Sequence, residues 1–249
     1  MPKVSVTIIT KNEAADIGAA LDSVSWADER IVVDSCSTDE TVAIAARHGA
    51  RVVSREWPGY VAQKNHAASL AVNDWILSLD ADERVTPALA DEIRSTLEHQ
   101  PAARGFRIPR VTFHLGRWIR TTDWYPDYQL RLYDRREAKW TGKYVHEGVT
   151  VNGRVGRLRN ELQHYAYRDA AEHQETIDHY TTLAARQMFE HGRRASSLDL
   201  ALQPAFAFFR NYILKRGFLD GPVGLTISRM NAQYVGMKFR KLRDLERER

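Results

Sequence analysis

The sequence contains very little cysteine and no long apolar run. Its one cysteine, Cys36, excludes a disulfide framework within the chain and suits a reducing compartment. No stretch approaches the roughly 18 apolar residues of a spanning helix, and the N-terminus enters a strand pattern without the features of a secretory signal. Internal repeats and low-complexity segments are also absent from the sequence. We therefore expect a globular chain whose 249 residues form one large domain, or one domain with a helical addition.

Acidic residues are scarce near the C-terminus. Residues 204–249 contain ten Lys or Arg and four Asp or Glu, which gives +6 in a chain whose total is +4 and leaves −2 for the rest. A basic segment of this kind indicates an anionic partner, either a membrane surface or nucleic acid.

Strand and helix patterns alternate through the N-terminal part of the chain. The pattern predicts strands at 4–10, 30–34, 51–54 and 74–80, and helices at 13–24, 38–48, 60–71 and 86–99. Gly49 is expected just after the end of the second helix, and Pro87 after Thr86 at the start of the fourth. This alternation is typical of βαβ units in a mostly parallel sheet.

The remaining sequence has two parts of different character. Residues 104–163 are rich in Arg, Trp, Tyr and β-forming residues, and we expect strands and loops that cover the edge of the sheet. Helical spacing returns at 170–191, 198–215 and 222–245. The sequence thus predicts a doubly wound α/β domain over residues 1–165 and a helical region over residues 166–249.

The most informative segment is an apolar strand that runs directly into three acids. Residues 75–83 read Trp-Ile-Leu-Ser-Leu-Asp-Ala-Asp-Glu. Asp80 and Asp82 are two residues apart, so both carboxylates can approach one hard cation such as Mg²⁺ or Mn²⁺. The same pair of acids also occurs in ordinary solvated loops, but a position after a buried strand favours a ligand site.

Polar residues also follow the first two predicted strands. The first strand leads into Thr-Lys-Asn-Glu at 10–13, and the second into Asp-Ser-Cys-Ser-Thr-Asp at 34–39. Because the carboxyl ends of neighbouring parallel strands meet at one edge of a sheet, these groups are predicted to converge with Asp80 and Asp82.

These segments resemble inverting glycosyltransferases of family 2, which have the GT-A fold. The resemblance rests on residues 10–13, 32–41, 63–65 (Gln-Lys-Asn) and 79–83, and continues at 129–133 (Gln-Leu-Arg-Leu-Tyr) and 145–147 (Val-His-Glu). More narrowly, the chain resembles the bacterial lipopolysaccharide-core β-1,4-glucosyltransferase group, in which the Gly-Phe-Leu-Asp-Gly-Pro pattern at 217–222 also recurs.

The resemblance implies a pocket for a UDP-sugar. Asp34 would accept a hydrogen bond from the uracil imide N–H, or it caps the turn that follows the strand. Thr10 and Glu13 would line the base and ribose, and an acid in the first helical turn is the alternative for Glu13. Lys64 would meet the diphosphate, or it is an exposed lysine of an amphipathic helix. Asp39 is expected to cap a helix rather than to bind a ligand.

The resemblance also implies a divalent cation, Mg²⁺ or Mn²⁺, which would stabilise charge on the departing nucleoside diphosphate. Asp82 would bind the metal directly. Asp80 is a second candidate ligand, with the ribose or a metal-bound water as its alternative contact. His146 would be a further metal ligand or a diphosphate contact. Arg131 would bind phosphate, or it is an ordinary arginine at the sheet edge. Glu83 would contact the metal-binding residues without binding the metal, or it is exposed.

Inversion requires a carboxylate that removes the proton from the attacking hydroxyl of the acceptor. Asp127 and Glu147 are the candidates within residues 104–163, with Asp123 as a further alternative. Asp127 resembles the second acid of the family's acidic pair, although a proline replaces the first acid. Glu147 follows a histidine, and this His-Glu pair is typical of the narrower group. His164 has a weaker claim to a place in the site.

The C-terminal region crowds aromatic and aliphatic residues beside basic ones. The apolar members are Ala205, Phe206, Phe208, Phe209, Tyr212, Ile213 and Leu214, and the basic ones are Arg210, Lys215 and Arg216. The segment is too short and charged to span a bilayer. We expect it to lie in the headgroup region of a membrane, or else to pack against the catalytic domain.

The sequence therefore predicts metal-dependent transfer of a hexose, glucose from UDP-glucose in the first instance, to a lipid-anchored saccharide such as the lipopolysaccharide inner core. The protein would act in the cytoplasm, at the inner face of the cytoplasmic membrane. A sugar-phosphate nucleotidyltransferase is one alternative, but its usual Gly-rich loop is replaced here by Thr-Lys-Asn-Glu-Ala-Ala at 10–15. A non-catalytic glycan-binding protein of the same fold is another. Nucleic acid is not an expected partner, because the predicted site is acidic.

Overall fold

The computed structural model describes residues 2–142, 147–166 and 170–247, without the side chains of 170–173. Contacts group the chain into two units. The first comprises Met1–Arg110 and Tyr128–His164, and the second comprises Val111–Asp127 and Tyr165–Arg249. The sequence did not indicate that residues 111–127 belong with the C-terminal residues. The boundary proposed at residue 165 stays a prediction.

The first unit opens with alternating strands and helices, as the apolar spacing predicts. The elements are β1 Val4–Thr10, α1 Ile17–Ser23, β2 Glu29–Asp34, α2 Thr41–Arg47, β3 Arg51–Ser54, α3 Tyr60–Ser69, β4 Trp75–Asp80, β5 Glu83–Val85 and α4 Pro87–Glu98. Strand β1 pairs in parallel with both β2 and β4, and β2 pairs in parallel with β3. The predicted doubly wound, mostly parallel arrangement is confirmed over these strands.

Most of the later strands extend the sheet. The later strands are β6 Ala103–His114, β7 Arg117–Ile119, β8 Asp127–Asp134, β9 Ala138–Thr141, β10 Gly148–Val151, β11 Arg154–Arg157 and β12 Leu162–His164. Strands β9 and β10 pair with each other as a separate antiparallel sheet of two strands. The strand order is β3-β2-β1-β4-β8-β6-β12-β5, and β8 is antiparallel to β4. The strands expected in residues 104–163 are present, and one of them, β8, pairs with the open side of β4 and buries Leu132 and Tyr133 there.

Alternate residues of these strands face two apolar clusters. Ile8, Leu77 and Leu79 belong to one cluster, whereas Ile31 and Ile76 belong to the other. A strand that is buried on both faces presents successive side chains to opposite layers, which explains its nearly continuous apolar sequence. The edge of the sheet where the polar residues lie is thus supported by core packing on both sides.

Two predicted helix starts were too early. Helix α1 begins at Ile17 rather than at residue 13, because the residues before it form a turn. Helix α2 begins at Thr41 rather than at residue 38. The start of α4 is confirmed, since the Thr86 hydroxyl accepts a hydrogen bond from the Leu89 N–H at 3.2 Å and Pro87 is the first helical residue.

The second unit is mainly helical. It contains α5 Ala170–Glu190, α6 Ser197–Phe209, a π turn Arg210–Leu214, a 3₁₀ turn Gly217–Asp220 and α7 Gly221–Arg247. Helix α6 ends earlier than the predicted residue 215, because the π turn follows it. A Cβ atom at Gly224 would lie 1.8 Å from the Gly217 carbonyl oxygen, so this pair of glycines permits a close approach that other residues would block. In the part of the chain that the structure describes, no helix combines the length and apolar character needed to cross a membrane.

Candidate active site

Three neighbouring parallel strands end at the same edge of the sheet. Thr10 at the end of β1 is in register with Asp34 at the end of β2, and Ile9 with Asp80 at the end of β4. The polar segments that follow these strands therefore lie side by side, as expected for parallel strands.

Asp34 is buried at this edge and holds a turn. Its carboxylate accepts hydrogen bonds from the Ser37 N–H at 2.9 Å and from the Ser37 hydroxyl at 2.5 Å. The turn-capping alternative is thus present in the structure, yet each carboxylate oxygen keeps capacity for a second donor. The neighbouring Thr10 hydroxyl is buried and has no hydrogen-bond partner in the described chain. Such a group is one that a bound ligand would satisfy.

The loops after β1 and β2 are joined by hydrogen bonds. The Asn12 N–H donates to the Ser37 hydroxyl, and the Glu13 N–H donates to the Thr41 hydroxyl, both at 2.8 Å. Glu13 precedes α1, so the alternative of an acid in the first helical turn was wrong. Asp39 accepts from the Thr41 hydroxyl at 2.5 Å and N–H at 3.0 Å, and these bonds lower the pKa of Asp39. The N-cap residue of α2 is Glu40, which makes no side-chain cap, so Asp39 is not the N-cap itself; from one residue earlier it accepts the N–H of Thr41, the first helical residue.

Asp80 is held between two cations. The Lys64 ammonium lies 2.7 Å from Oδ1 of Asp80, and Arg131 donates to Oδ2. Burial would raise the pKa of Asp80, but the charges of Arg131, Lys64 and Arg110 lower it below the ordinary value. Asp80 is therefore an anion at neutral pH. Lys64 is itself buried, so the alternative of an exposed lysine was wrong.

Glu83 binds Arg131, one of these two cations, together with Arg110. Its fully buried carboxylate accepts hydrogen bonds from Arg131 at 2.6 Å, from Arg110 at 3.0 Å and from the Asp80 N–H at 3.1 Å. Burial would lower the pKa of Arg131, but the two carboxylates raise it. Strand β8 lies between β4 and β6, so the sheet-edge alternative for Arg131 was wrong, as was the exposed alternative for Glu83.

Asp82 lies beside His164, for which the sequence indicated only a weak claim to a place in the site. Strands β5 and β12 are antiparallel with Glu83 opposite His164, which brings Nε2 of His164 to 3.2 Å from Oδ2 of Asp82. The other oxygen of Asp82 is buried and has no hydrogen-bond partner among the described residues. A carboxylate oxygen and an imidazole nitrogen are both suitable ligands for a divalent cation, and here they lie next to each other.

A cleft of about 320 Å³ opens next to Asp80. Its walls are formed by Lys64, Asp80, Arg107, Tyr128, Gln129, Leu130, Arg131, Trp140, Glu147, Gly148 and Val149. Burial raises the pKa of Glu147, while the charge of Lys64 opposes this effect. The structure thus brings Glu147 together with Lys64, Asp80 and Arg131.

Three further candidates are placed elsewhere. Asp127 is the first residue of β8 and is grouped with the second unit. Asp123 also belongs to that unit, where it accepts hydrogen bonds from Arg210 at 2.8 Å and Asn211 at 2.9 Å. His146 lies outside the described residues.

Trp140 is a site residue that sequence reasoning missed. The Lys64 ammonium lies 4.3 Å from the centroid of its ring. The Asn65 side chain holds the Trp140 backbone, donating to its carbonyl at 2.9 Å and accepting from its N–H at 3.0 Å. An isolated tryptophan in a strand-forming region carries no signal of this role, because the partners are 75 residues away in the chain.

Comparisons with known proteins identify the family of the chain. The profile of the family described as "Glycosyl transferase family 2" matches residues 5–153. An "Uncharacterized glycosyltransferase" of Rickettsia felis is 34% identical, and the alignment covers 98% of this chain and 90% of that protein. The "Lipopolysaccharide core biosynthesis glycosyltransferase LpsC" of Rhizobium meliloti is 29% identical, over 96% of this chain and 91% of that protein.

Solved structures share the fold at low sequence identity. The glucosyl-3-phosphoglycerate synthase of Mycobacterium tuberculosis, in complex with Mn²⁺, UDP and phosphoglyceric acid, is 20% identical with a TM-score of 0.52, covering 78% of this chain and 80% of that one. The mannosyltransferase PcManGT of Pyrobaculum calidifontis, in complex with GDP-Man and Mn²⁺, is 16% identical with a TM-score of 0.58. The match covers 97% of this chain and 87% of that one. These likenesses confirm the GT-A type of fold. From the family profile and the curated relatives together, the chain belongs to glycosyl transferase family 2.

Proposed function

We propose that the protein transfers a hexose, glucose in the first instance, from a UDP-sugar to a hydroxyl group of a lipid-linked saccharide, with inversion at the transferred carbon. The name of the Rhizobium relative supports an acceptor of the lipopolysaccharide-core type. The bound UDP and Mn²⁺ of the mycobacterial structure support the donor class and the need for a cation. The observation that carries the proposal is the buried, unpartnered oxygen of Asp82 beside His164, at the same strand end as the Asp80 cluster.

Asp82 and His164 are the residues that would hold Mg²⁺ or Mn²⁺. No group of three or more His, Cys, Asp or Glu suited to a metal occurs within the described ranges. A cation held by one or two protein ligands completes its coordination with substrate phosphates and water, so two ligands are sufficient. When bound, the cation would supply stabilisation of the charge that develops on the departing diphosphate.

The residues around Asp80 would bind the charged part of the donor. Lys64 now neutralises Asp80, and its ammonium has the reach to move to a diphosphate oxygen that enters the cleft. Asp80 would then accept a hydrogen bond from the ribose, while Arg131, fixed by Glu83, keeps the carboxylate in position. Because Asp80 and Arg131 are already held by their hydrogen bonds, little of their side-chain entropy is lost when the donor binds.

Asp34 and Thr10 would recognise the base at the neighbouring strand ends. The uracil N–H is a donor that suits the remaining lone pairs of the Asp34 carboxylate. The Thr10 hydroxyl would gain the hydrogen-bond partner that the described chain does not supply. Glu13 follows Thr10 along the same loop and completes the predicted pocket.

Two carboxylates are proposed for removal of the acceptor proton. Glu147 lines the cleft, and the raised pKa that burial gives it suits a general base. Asp127 immediately precedes Tyr128, another residue of the cleft wall. Either carboxylate would accept the proton as the hydroxyl oxygen attacks the sugar carbon and the bond to the diphosphate breaks.

The test is a transfer assay with UDP-glucose, UDP-galactose and GDP-mannose on lipopolysaccharide inner core, with the product anomer read by NMR. We expect UDP-glucose to be preferred and the new linkage to be β. Replacing the true base by its amide, as Glu147→Gln or Asp127→Asn, should lower turnover about 10²–10⁴-fold, while the exposed control Asp91→Asn should have no effect. Full turnover in both amide variants would exclude both bases. UDP binding without turnover of any donor would favour the glycan-binding alternative.

A further inference from the structure

Exposed apolar side chains are concentrated in one short segment of the second unit. Of the fifteen large apolar residues that are exposed in the described chain, eight lie within residues 198–219. Their exposed fractions range from 45% to 68%. The eight are Leu198, Leu202, Phe206, Phe209, Ile213, Leu214, Phe218 and Leu219. Contiguous exposed apolar surface of this kind marks an interaction site.

Five of these residues form one stripe, which we call the apolar stripe. Its members are Leu198, Leu202, Phe206, Phe209 and Ile213. They follow one another at intervals of four, four, three and four residues, which places them on one side of α6 and the π turn that continues it. The stripe is a continuous surface feature and not a scatter of single exposed residues.

The opposite side of α6 is the one that packs within the unit. Pro204 lies against Gly236 of α7, since a Cβ atom built on Gly236 would be 3.4 Å from the proline ring. Leu200 packs on the small core that contains Phe239. Asn211 is fully buried and bonded to Asp123. Helix α6 therefore contacts the rest of the unit through this side, although none of its residues is fully buried, and the apolar stripe lies on the side away from these contacts.

The charges beside the C-terminal part of the stripe are basic. Residues 200–219 contain Arg210, Lys215 and Arg216 and no acid. Asp199, next to Leu198 at the start of the stripe, is already paired with Arg193 at 3.2 Å and accepts hydrogen bonds from Ser196. Arg210 pairs with Asp123 at 2.8 Å, whereas Lys215 and Arg216 are exposed beside the apolar residues. A symmetric contact with a second copy would bring these cations together, which is unfavourable. Apolar and aromatic side chains bordered by Lys and Arg suit an anionic bilayer surface.

We propose that the apolar stripe inserts at the boundary between headgroups and acyl chains of a membrane that contains anionic lipid, with Lys215 and Arg216 at the level of the lipid phosphates. The inference goes beyond the transfer reaction and is independent of the donor site, which lies in the first unit. Holding the enzyme at a lipid surface would raise the effective concentration of a lipid-linked acceptor.

The test is flotation with vesicles of phosphatidylcholine alone or with about a third phosphatidylglycerol. The full-length wild type should bind the mixed vesicles and bind the neutral ones less. Phe206→Ser/Phe209→Ser should weaken binding roughly tenfold or more. The matched control Trp57→Ser/Val72→Ser removes two exposed apolar residues outside the stripe and should bind as the wild type does.

Three controls separate this proposal from loss of folding or of the donor site. Circular dichroism and UDP affinity should be unchanged in Phe206→Ser/Phe209→Ser. Lys215→Gln/Arg216→Gln should reduce the preference for the anionic vesicles. Absence of wild-type binding, or undiminished binding by the double serine variant, would overturn the proposal. So would sedimentation that shows self-association through the stripe without vesicle binding, because the occupant would then be a second copy.

Discussion

Replacing Glu83 by Gln tests whether the buried charge cluster organises the candidate site. Both arginines, Arg110 and Arg131, donate to the same oxygen of Glu83, and the Asp80 N–H donates to the other. An amide of the same shape keeps one acceptor oxygen for the arginines but removes its charge. Its NH₂ group then faces the Asp80 N–H, so two donors oppose each other in a buried place.

The expected loss of stability follows from these contacts. Each charge-assisted bond to an arginine should weaken by about 1 kcal/mol, and a buried N–H without an acceptor costs about 1–3 kcal/mol. The total of about 3–5 kcal/mol agrees with the cost of breaking a buried ion pair by removing one partner. For a chain of this size about 1 kcal/mol lowers Tm by about 2–4 °C, so Tm should fall by roughly 10 °C.

Thermal unfolding followed by circular dichroism measures this shift. The matched control is Glu92→Gln, because Glu92 also accepts three hydrogen bonds but only from uncharged groups of Arg159 and Asn160, near solvent. We expect the control to lose at most about 1 kcal/mol. A Glu83→Gln protein that melts within the range of this control would refute the organising role of the cluster.

The contacts around Asp80 lead to three further predictions. The pKa of Asp80 in the folded protein lies below the unfolded value of 3.8, so its charge stabilises the fold above that pH. This stabilisation is lost as the pH falls through the lower folded value. Tm should therefore fall more steeply with acidification in wild type than in Asp80→Asn, and equal slopes would contradict this. Lys64→Gln should weaken UDP binding by about 10–100-fold in calorimetry, and an unchanged affinity would remove Lys64 from the donor site. Asn65→Ala should lower stability by about 1–3 kcal/mol by releasing the Trp140 backbone, and a Tm equal to that of the wild type would show that this contact is dispensable.

Local patterns were sufficient to predict most elements of the first unit. The apolar spacing predicts β1 and β3 at their observed bounds, and Thr86 followed by Pro87 predicts the start of α4 because both signals are local. The starts of α1 and α2 were predicted too early, since hydrogen bonds between the two loops hold the residues that precede each helix. These bonds join residues 25 to 28 positions apart and leave no periodic signal.

The candidate site was predictable where it depends on adjacent residues and not where it depends on strand pairing. Asp80 and Asp82 could be predicted as site residues because they directly follow a buried strand. His164 reaches Asp82 only because β12 pairs with β5, and nothing in the local sequence of either strand predicts that pairing. The burial of Glu83 likewise depends on the insertion of β8 beside β4, which brings Arg131 to it.

Calorimetric titration with UDP, with and without Mn²⁺, tests the proposed donor site most directly. The proteins to compare are wild type, Asp82→Asn and the exposed control Asp91→Asn. We predict binding that depends on Mn²⁺ in wild type and in Asp91→Asn, and that loses its metal dependence in Asp82→Asn. Equal metal-dependent binding in all three would contradict the assignment of Asp82 as a metal ligand, and absence of UDP binding in every condition would contradict the UDP-sugar donor itself.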